Sequence, residues 1–376
     1  MNILPKFLKI ETLYENRVFG LDLMRALAII FVVIGHGSML ERADTNFPWI
    51  KLIDGVELFF VLSGFLIGGI LLKIFHKDSF GFQSLKSFWI RRWFRTLPNY
   101  YLILVVNIIV VYFGFNHDDI HQFNWKFFFF LQNFSNFFTG FFWESWSLSI
   151  EEWFYILFPI ILLLIFFVLK PISKNRNQMF VIAIVIFLFL SLLLRLTIAS
   201  KYTLDDFWLS NKVYKVVIFR LDGIALGLLA AIIKSKFSLL WTKSRYITFV
   251  LGIGLSYFIL YSIWPSNDFS TKVYKILFQG LGCFLLLPFF DSLKQAPMVF
   301  LKPITHISLI SYSMYLINLG LISSVIKANI VIENEFQAWL LYGIYWFSVI
   351  FFSTILYKYF EKPVMDLRER MIMKSE

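Results

Sequence analysis

A chain of 376 residues that is 59% hydrophobic, 20% aromatic and 16% charged, with a mean hydropathy of +0.72, lies outside the composition of soluble globular proteins. Its net charge of +11 is scattered over the edges of apolar stretches and forms no single basic face, which argues against nucleic acid as a partner. One cysteine, Cys283, allows no intrachain disulfide, so a disulfide-stapled secreted domain is excluded as well.

Ten stretches are long and apolar enough to cross a bilayer: 20–39, 56–74, 97–114, 148–169, 179–199, 214–233, 246–264, 274–291, 307–326 and 338–360. At about 20 residues each they leave no room for a large soluble domain. With span-end lysines counted in the adjoining segments, alternate connecting segments carry 23 and 9 Lys/Arg, and Arg25, Arg195 and Arg220 inside the spans complete the 35. This bias predicts an all-α polytopic membrane protein of about ten transmembrane helices with both termini cytoplasmic. One transmembrane domain over 20–364 lies between a cytoplasmic segment 1–19 and a cytoplasmic tail 365–376. The aromatic stretch 125–143 is broken by Asn and Gly, and an interfacial or re-entrant segment fits it best.

Ionisable groups inside a bilayer are costly and mark function. In the first stretch Arg25 and His36 are eleven residues apart, which puts them on one helix face about 16 Å apart. Asp22, one turn before Arg25, can pair with it. The second stretch carries Glu57 near its outer end, Ser63, and Gly64 and Gly68 at a spacing that lets helices approach closely. Before the third, Arg91, Arg92 and Arg95 in SFWIRRWFRTLP lie at the inner surface, at the end of a cytoplasmic loop. Anionic membrane lipid is one partner for these arginines; a phosphate-rich ligand from the cytoplasm is the other, because guanidinium groups bind phosphate in bidentate fashion. The fourth stretch opens SWSLSIEE, with Trp146, Ser147, Glu151 and Glu152 about a turn below the outer surface. Arg220 and Asp222 open the sixth and can neutralise each other or the glutamates, and Arg195 has the same standing in the fifth.

No Walker loop, dinucleotide fingerprint or Cys/His zinc spacing occurs, so bound ATP, NAD and structural zinc have no support. The lone HxxxH, His117 and His121, is a weak signal in an outer loop, and no metal site is assigned.

The segments GLDLMRALAIIFVVIGH, GVELFFVLSGFLIGG, RRWFRTLPNYY, SWSLSIEEWFYILFP, FRLDGIALG, SYSMYLIN and YFEKP occur in the order seen in the membrane acyltransferase-3 family, which this chain resembles over roughly residues 19–364. The resemblance implies a bacterial inner-membrane enzyme that moves an acyl group, usually acetyl, from cytoplasmic acyl-CoA to a hydroxyl of a cell-surface or lipid-linked glycan. His36 and Arg25 match the family's essential pair, and Glu151 matches the first glutamate of its WSL motif. Two positions depart from the pattern: Glu57 stands where Asp is common, and Asn318 where the SYSMYLIN segment often ends in His. The chain ends soon after the tenth stretch, so it resembles a stand-alone member.

On this reading Arg25, Arg91, Arg92 and Arg95 engage acetyl-CoA, a substrate and not a bound cofactor. His36 serves as general base or as transient acyl carrier, and Glu151 orients it. Glu57, Ser63, Trp146, Ser147, Glu152, Arg220, Asp222 and Asn318 form the acceptor pocket. The alternative is a polytopic transporter or flippase whose buried charges line a pathway, but matching broken helices in two halves are absent from the sequence. Oligomeric state is not legible.

Overall fold

The computed structural model describes residues 17–37, 52–136, 138, 140–201, 213–261 and 269–373. Most of the expected N-terminal cytoplasmic segment therefore lies outside the described residues. Among those described there is no β-strand. In chain order the helices are α1 (Phe19–Gly37), α2 (Gly55–Phe75), α3 (Phe82–Tyr112), α4 (Ser145–Leu169), α5 (Arg176–Lys201), α6 (Asp222–Lys236), α7 (Ser238–Lys243), α8 (Arg245–Tyr261), α9 (Phe269–Ser292), α10 (Met298–Ile317), α11 (Ser324–Asn329), α12 (Glu335–Leu356) and α13 (Lys362–Met373). Two π-helical turns, Asn318–Ser323 and Tyr357–Glu361, join α10 to α11 and α12 to α13.

Eight helical segments among the described residues are long and apolar enough to cross a membrane. Two of the ten expected spans are shorter helices: 214–233 becomes α6, of 15 residues, and 246–264 becomes α8, of 17. The reason for the first is a competing backbone partner. Val217 and Ile218 donate their N–H groups to the carbonyls of Asn133 and Phe134 at 3.0 and 3.3 Å, so the chain enters α6 through a 3-10 turn.

The described residues of 115–144 hold no spanning helix, only short 3-10 turns at Ile120–Gln122 and Trp125–Phe129. Phe127, Phe141 and Phe142 are buried against α1, α3 and α10, so this stretch packs into the bundle. Tyr100, Tyr101 and Trp153 pin it by donating to the carbonyls of Phe127, Phe128 and Phe130 at 2.7–2.9 Å. A further difference concerns Arg91, Arg92 and Arg95, expected at the end of a loop. They lie inside α3, which continues through Pro98 for 31 residues.

Helices α2 and α6 pack backbone to backbone. A Cβ on Gly64 would stand 2.0 Å from the Ile224 carbonyl oxygen, and one on Gly227 would stand 2.1 Å from that of Val61. Neither neighbour is the end of a flexible side chain, so the helices must part. Gly64→Ala is expected to cost about 1–3 kcal/mol, seen as a lower melting temperature of the detergent-extracted protein; an unchanged value would mean the two helices have room to separate.

Candidate functional site

A cavity of about 400 Å³ opens between α1, α2, α3, α4 and α10. Arg25, Arg92, Arg95, Ser63, Ser147 and Glu151 line it, together with Thr96, Ser311, Tyr312 and Tyr315. Residues expected from four separate segments thus meet at one place. The helical course of α3 decides which arginines reach it: Arg92 and Arg95, three apart, share a face, whereas Arg91 does not line the cavity and its carbonyl accepts from Arg368 at 3.0 Å.

The Arg25 guanidinium is weakly committed. Asp22 is held by a bidentate Arg17 at 2.5 and 2.7 Å and by the Ser308 hydroxyl at 2.8 Å. Arg25 is left with a 3.7 Å approach to Asp22 and a 3.3 Å bond to Ser308. Arg92 lies over the Tyr155 ring at 4.3 Å, and its Nε has no hydrogen-bond partner. Three arginines against the single carboxylate of Glu151 leave the cavity lining with an excess of positive charge.

His36 sits farther along α1 and does not line this cavity. Its Nδ1 is 2.5 Å from the Asn318 side-chain oxygen. The amide orientation of Asn318 follows from its other bonds, since its NH₂ donates to the Met314 and Tyr315 carbonyls at 2.7 and 2.9 Å. The oxygen facing His36 can only accept, so Nδ1 carries the proton and the Nε2 lone pair is left available. Asn318 therefore does what a second histidine would not do unambiguously: it selects one tautomer.

The segment that presents Asn318 is a π-turn, and it is braced at two points. Ser323 donates to the His36 carbonyl at 3.2 Å, and Glu144 Oε1 accepts from the Gly320 N–H at 3.0 Å. Glu144 was not among the residues expected from sequence, nor were Tyr315 and Glu361. The Tyr315 and Ser147 hydroxyls meet at 2.6 Å between the cavity and Asn318. Glu361, in the second π-turn, accepts from Asn99 and Ser313 at 2.8 Å each. A signal for Tyr315 was present: Thr305, Ser308, Ser311, Tyr315 and Asn318 recur at helical spacing as a polar stripe on an apolar helix.

Glu144, outside the spanning helices, is buried, and burial pushes its carboxyl from the ordinary 4.5 up to about 8. The folded protein holds this proton more tightly than the unfolded chain does. The stability this group contributes is full below 4.5 and is lost as the pH rises through 8. Glu144→Gln keeps an acceptor for Gly320 and cannot ionise, so it should flatten the fall in melting temperature across that range. An undiminished fall in the variant would assign the pH dependence to other groups.

The remaining expected pocket residues lie elsewhere. Glu57 pairs with Arg220 at 2.6 Å and Asp222 with Arg195 at 2.6 Å; all four are buried and none lines the cavity. Glu152 accepts from Thr96 at 2.7 Å behind the cavity wall, and Trp146 stacks edge-on against Phe60. Among the described residues no three His, Cys, Asp or Glu side chains are grouped as a metal site.

Residues 18–358 match the profile of a family described as an acyltransferase domain. The O-acetyltransferase OatA of Staphylococcus aureus is 29% identical over 384 residues, covering 95% of this chain and 59% of that protein. The peptidoglycan O-acetyltransferase OatA of Listeria monocytogenes is 38% identical over 176 residues, 42% of this chain and 26% of that protein. The chain spans about half the length of the curated relatives it matches over most of its own sequence. No solved structure matches it.

Proposed function

The chain belongs to this acyltransferase family, and from that premise we propose that it is a multi-pass O-acetyltransferase of the bacterial inner membrane, moving acetyl from cytoplasmic acetyl-CoA to a hydroxyl of a cell-surface or lipid-linked glycan. The observation that carries the reading is the pairing of an arginine cavity with a tautomer-selected histidine on the same helix, α1. The names of the relatives support O-acetyl transfer and a glycan acceptor.

In this mechanism Arg25, Arg92 and Arg95 bind the anionic part of acetyl-CoA from the cytoplasmic side. The pantetheine arm spans the roughly 16 Å along α1 toward His36. Nε2 of His36 takes the proton of the acceptor hydroxyl as its oxygen attacks the thioester carbonyl. The C–S bond breaks, the acetyl group passes to the acceptor oxygen, and the imidazolium returns the proton to the departing thiolate. Asn318 holds the ring, and Glu151 offsets part of the arginine charge. In this reading α6 and α8 count as short spans, which with the eight longer ones among the described residues makes ten crossings, and the 23-to-9 bias in Lys/Arg supports both termini inside.

The test is turnover of labelled acetyl-CoA by the full chain in nanodiscs, with proton NMR of the surface glycan from cells that carry or lack the gene. Arg25→Lys should raise the KM for acetyl-CoA at least about tenfold, because lysine replaces a bidentate fork with a point charge. Wild-type kinetics in that variant would reduce Arg25 to charge balance.

A further inference from the structure

A second cavity, of about 240 Å³, lies between the N-terminal end of α2 and the facing parts of α8 and α9. It shares no lining residue with the arginine cavity. Asp54, Ser256, Lys275 and Gln279 face it, with Ile53 and Ile259 as apolar surface.

Its depth follows from α1. Gly55, the first residue of α2, is so close to that helix that a Cβ there would stand 2.4 Å from the Ala28 carbonyl oxygen and 2.9 Å from Val32. Val32 is one turn before His36, and Asp54 immediately precedes Gly55. The residues that line the cavity therefore adjoin the stretch of α1 between Arg25 and His36.

Its wall is preorganised. Asp54 accepts from the N–H groups of Val56 and Glu57 at 2.8 and 3.1 Å and from the Tyr214 hydroxyl at 3.0 Å. Tyr214 also contacts the Gln279 side-chain oxygen, and its ring lies under the Arg220 guanidinium at 4.2 Å. Lys275, by contrast, is half-buried and makes no ion pair with the described residues. An ammonium that no described carboxylate neutralises is suited to a ligand with acceptor groups.

The chemistry selects the ligand class. A volume a little under the roughly 300–1,000 Å³ of drug-sized sites suits a single ring. The carboxylate in the wall disfavours a phosphate, and the four polar side chains among Leu52, Ile53, Ile259, Leu260 and Cys283 make the lining mixed, which disfavours a bare acyl chain. Donors on Lys275 and Gln279, an acceptor on Asp54 and two isoleucine faces match the hydroxyls and C–H face of a pyranose. We propose that this cavity is a carbohydrate subsite that holds one sugar ring of the acceptor glycan beside the ring presented to His36. The proposal rests on the glycan-acceptor reading above.

The experiment is saturation-transfer NMR on the full chain in nanodiscs, with a tetramer of N-acetylglucosamine as probe and no acyl donor. Wild type and His36→Ala should bind it, and Lys275→Met and Gln279→Leu should each weaken binding about tenfold or more without lowering the melting temperature. Unchanged binding in both cavity variants, no binding to wild type, or displacement of the sugar by inorganic phosphate would each overturn the subsite. Adding acetyl-CoA then separates the two readings. Cavity-dependent binding without acetyl transfer keeps the subsite and removes the proposed reaction, whereas transfer that ignores both variants keeps the reaction and removes the subsite.

Discussion

His36→Ala is expected to lower acetyl transfer from acetyl-CoA to a glycan acceptor by roughly 10²–10⁴-fold, the usual contribution of a positioned general base. Protein abundance and acetyl-CoA binding should stay near wild type, because His36 does not line the arginine cavity and is half-buried. His36→Gln is the sharper variant. Its amide can still donate to the Asn318 oxygen that now faces Nδ1, so the local hydrogen bond can survive while the basic nitrogen is gone. Loss of transfer in both variants ties the reaction to Nε2. Full transfer in the glutamine variant would leave the ring a structural role only, and the mechanism would fall.

Arg220→Met should be the most destabilising single change discussed here, by about 3–5 kcal/mol, the cost of leaving a buried carboxylate without its cation. Glu57 is 1% exposed, and its Oε2 lies 2.6 Å from Arg220. Its Oε1 is enclosed as tightly, since a Cβ on Gly223 would come within 2.4 Å of it and one on Gly280 within 2.9 Å. Both carboxylate oxygens are therefore packed against protein atoms. The double variant Arg220→Met with Glu57→Gln removes both charges and should regain most of the loss, because a buried pair is worth little net against neutral groups of similar volume. Melting temperatures in detergent measure both effects. A single variant as stable as wild type would show that Glu57 is neutral or hydrated in the folded protein.

Much of the site was legible because ionisable side chains in apolar helices are too costly to be incidental. Arg25, Arg92, Arg95 and Glu151 could be picked out one by one, and they share a cavity. Glu57, Arg220 and Asp222, expected in an acceptor pocket, are each held in a buried ion pair. A charge pattern shows that a partner is needed and does not say which one. Glu144 was passed over because it precedes the apolar run of α4 and resembles an ordinary helix-start carboxylate; its burial comes from the packing of Gly320 against it.

Composition and apolar periodicity by themselves determined the helical class, the membrane setting and the positions of most spans, because a bilayer demands internally bonded backbone over a set length. Motif order by itself identified the family. The tertiary structure decided which arginines face one cavity, the pairing of the buried ion pairs, the shortness of α6 and the tautomer of His36. Each of these depends on a contact between residues far apart in the chain, such as His36 with Asn318 or Val217 with Asn133, and no local pattern encodes which distant atom will take a hydrogen bond.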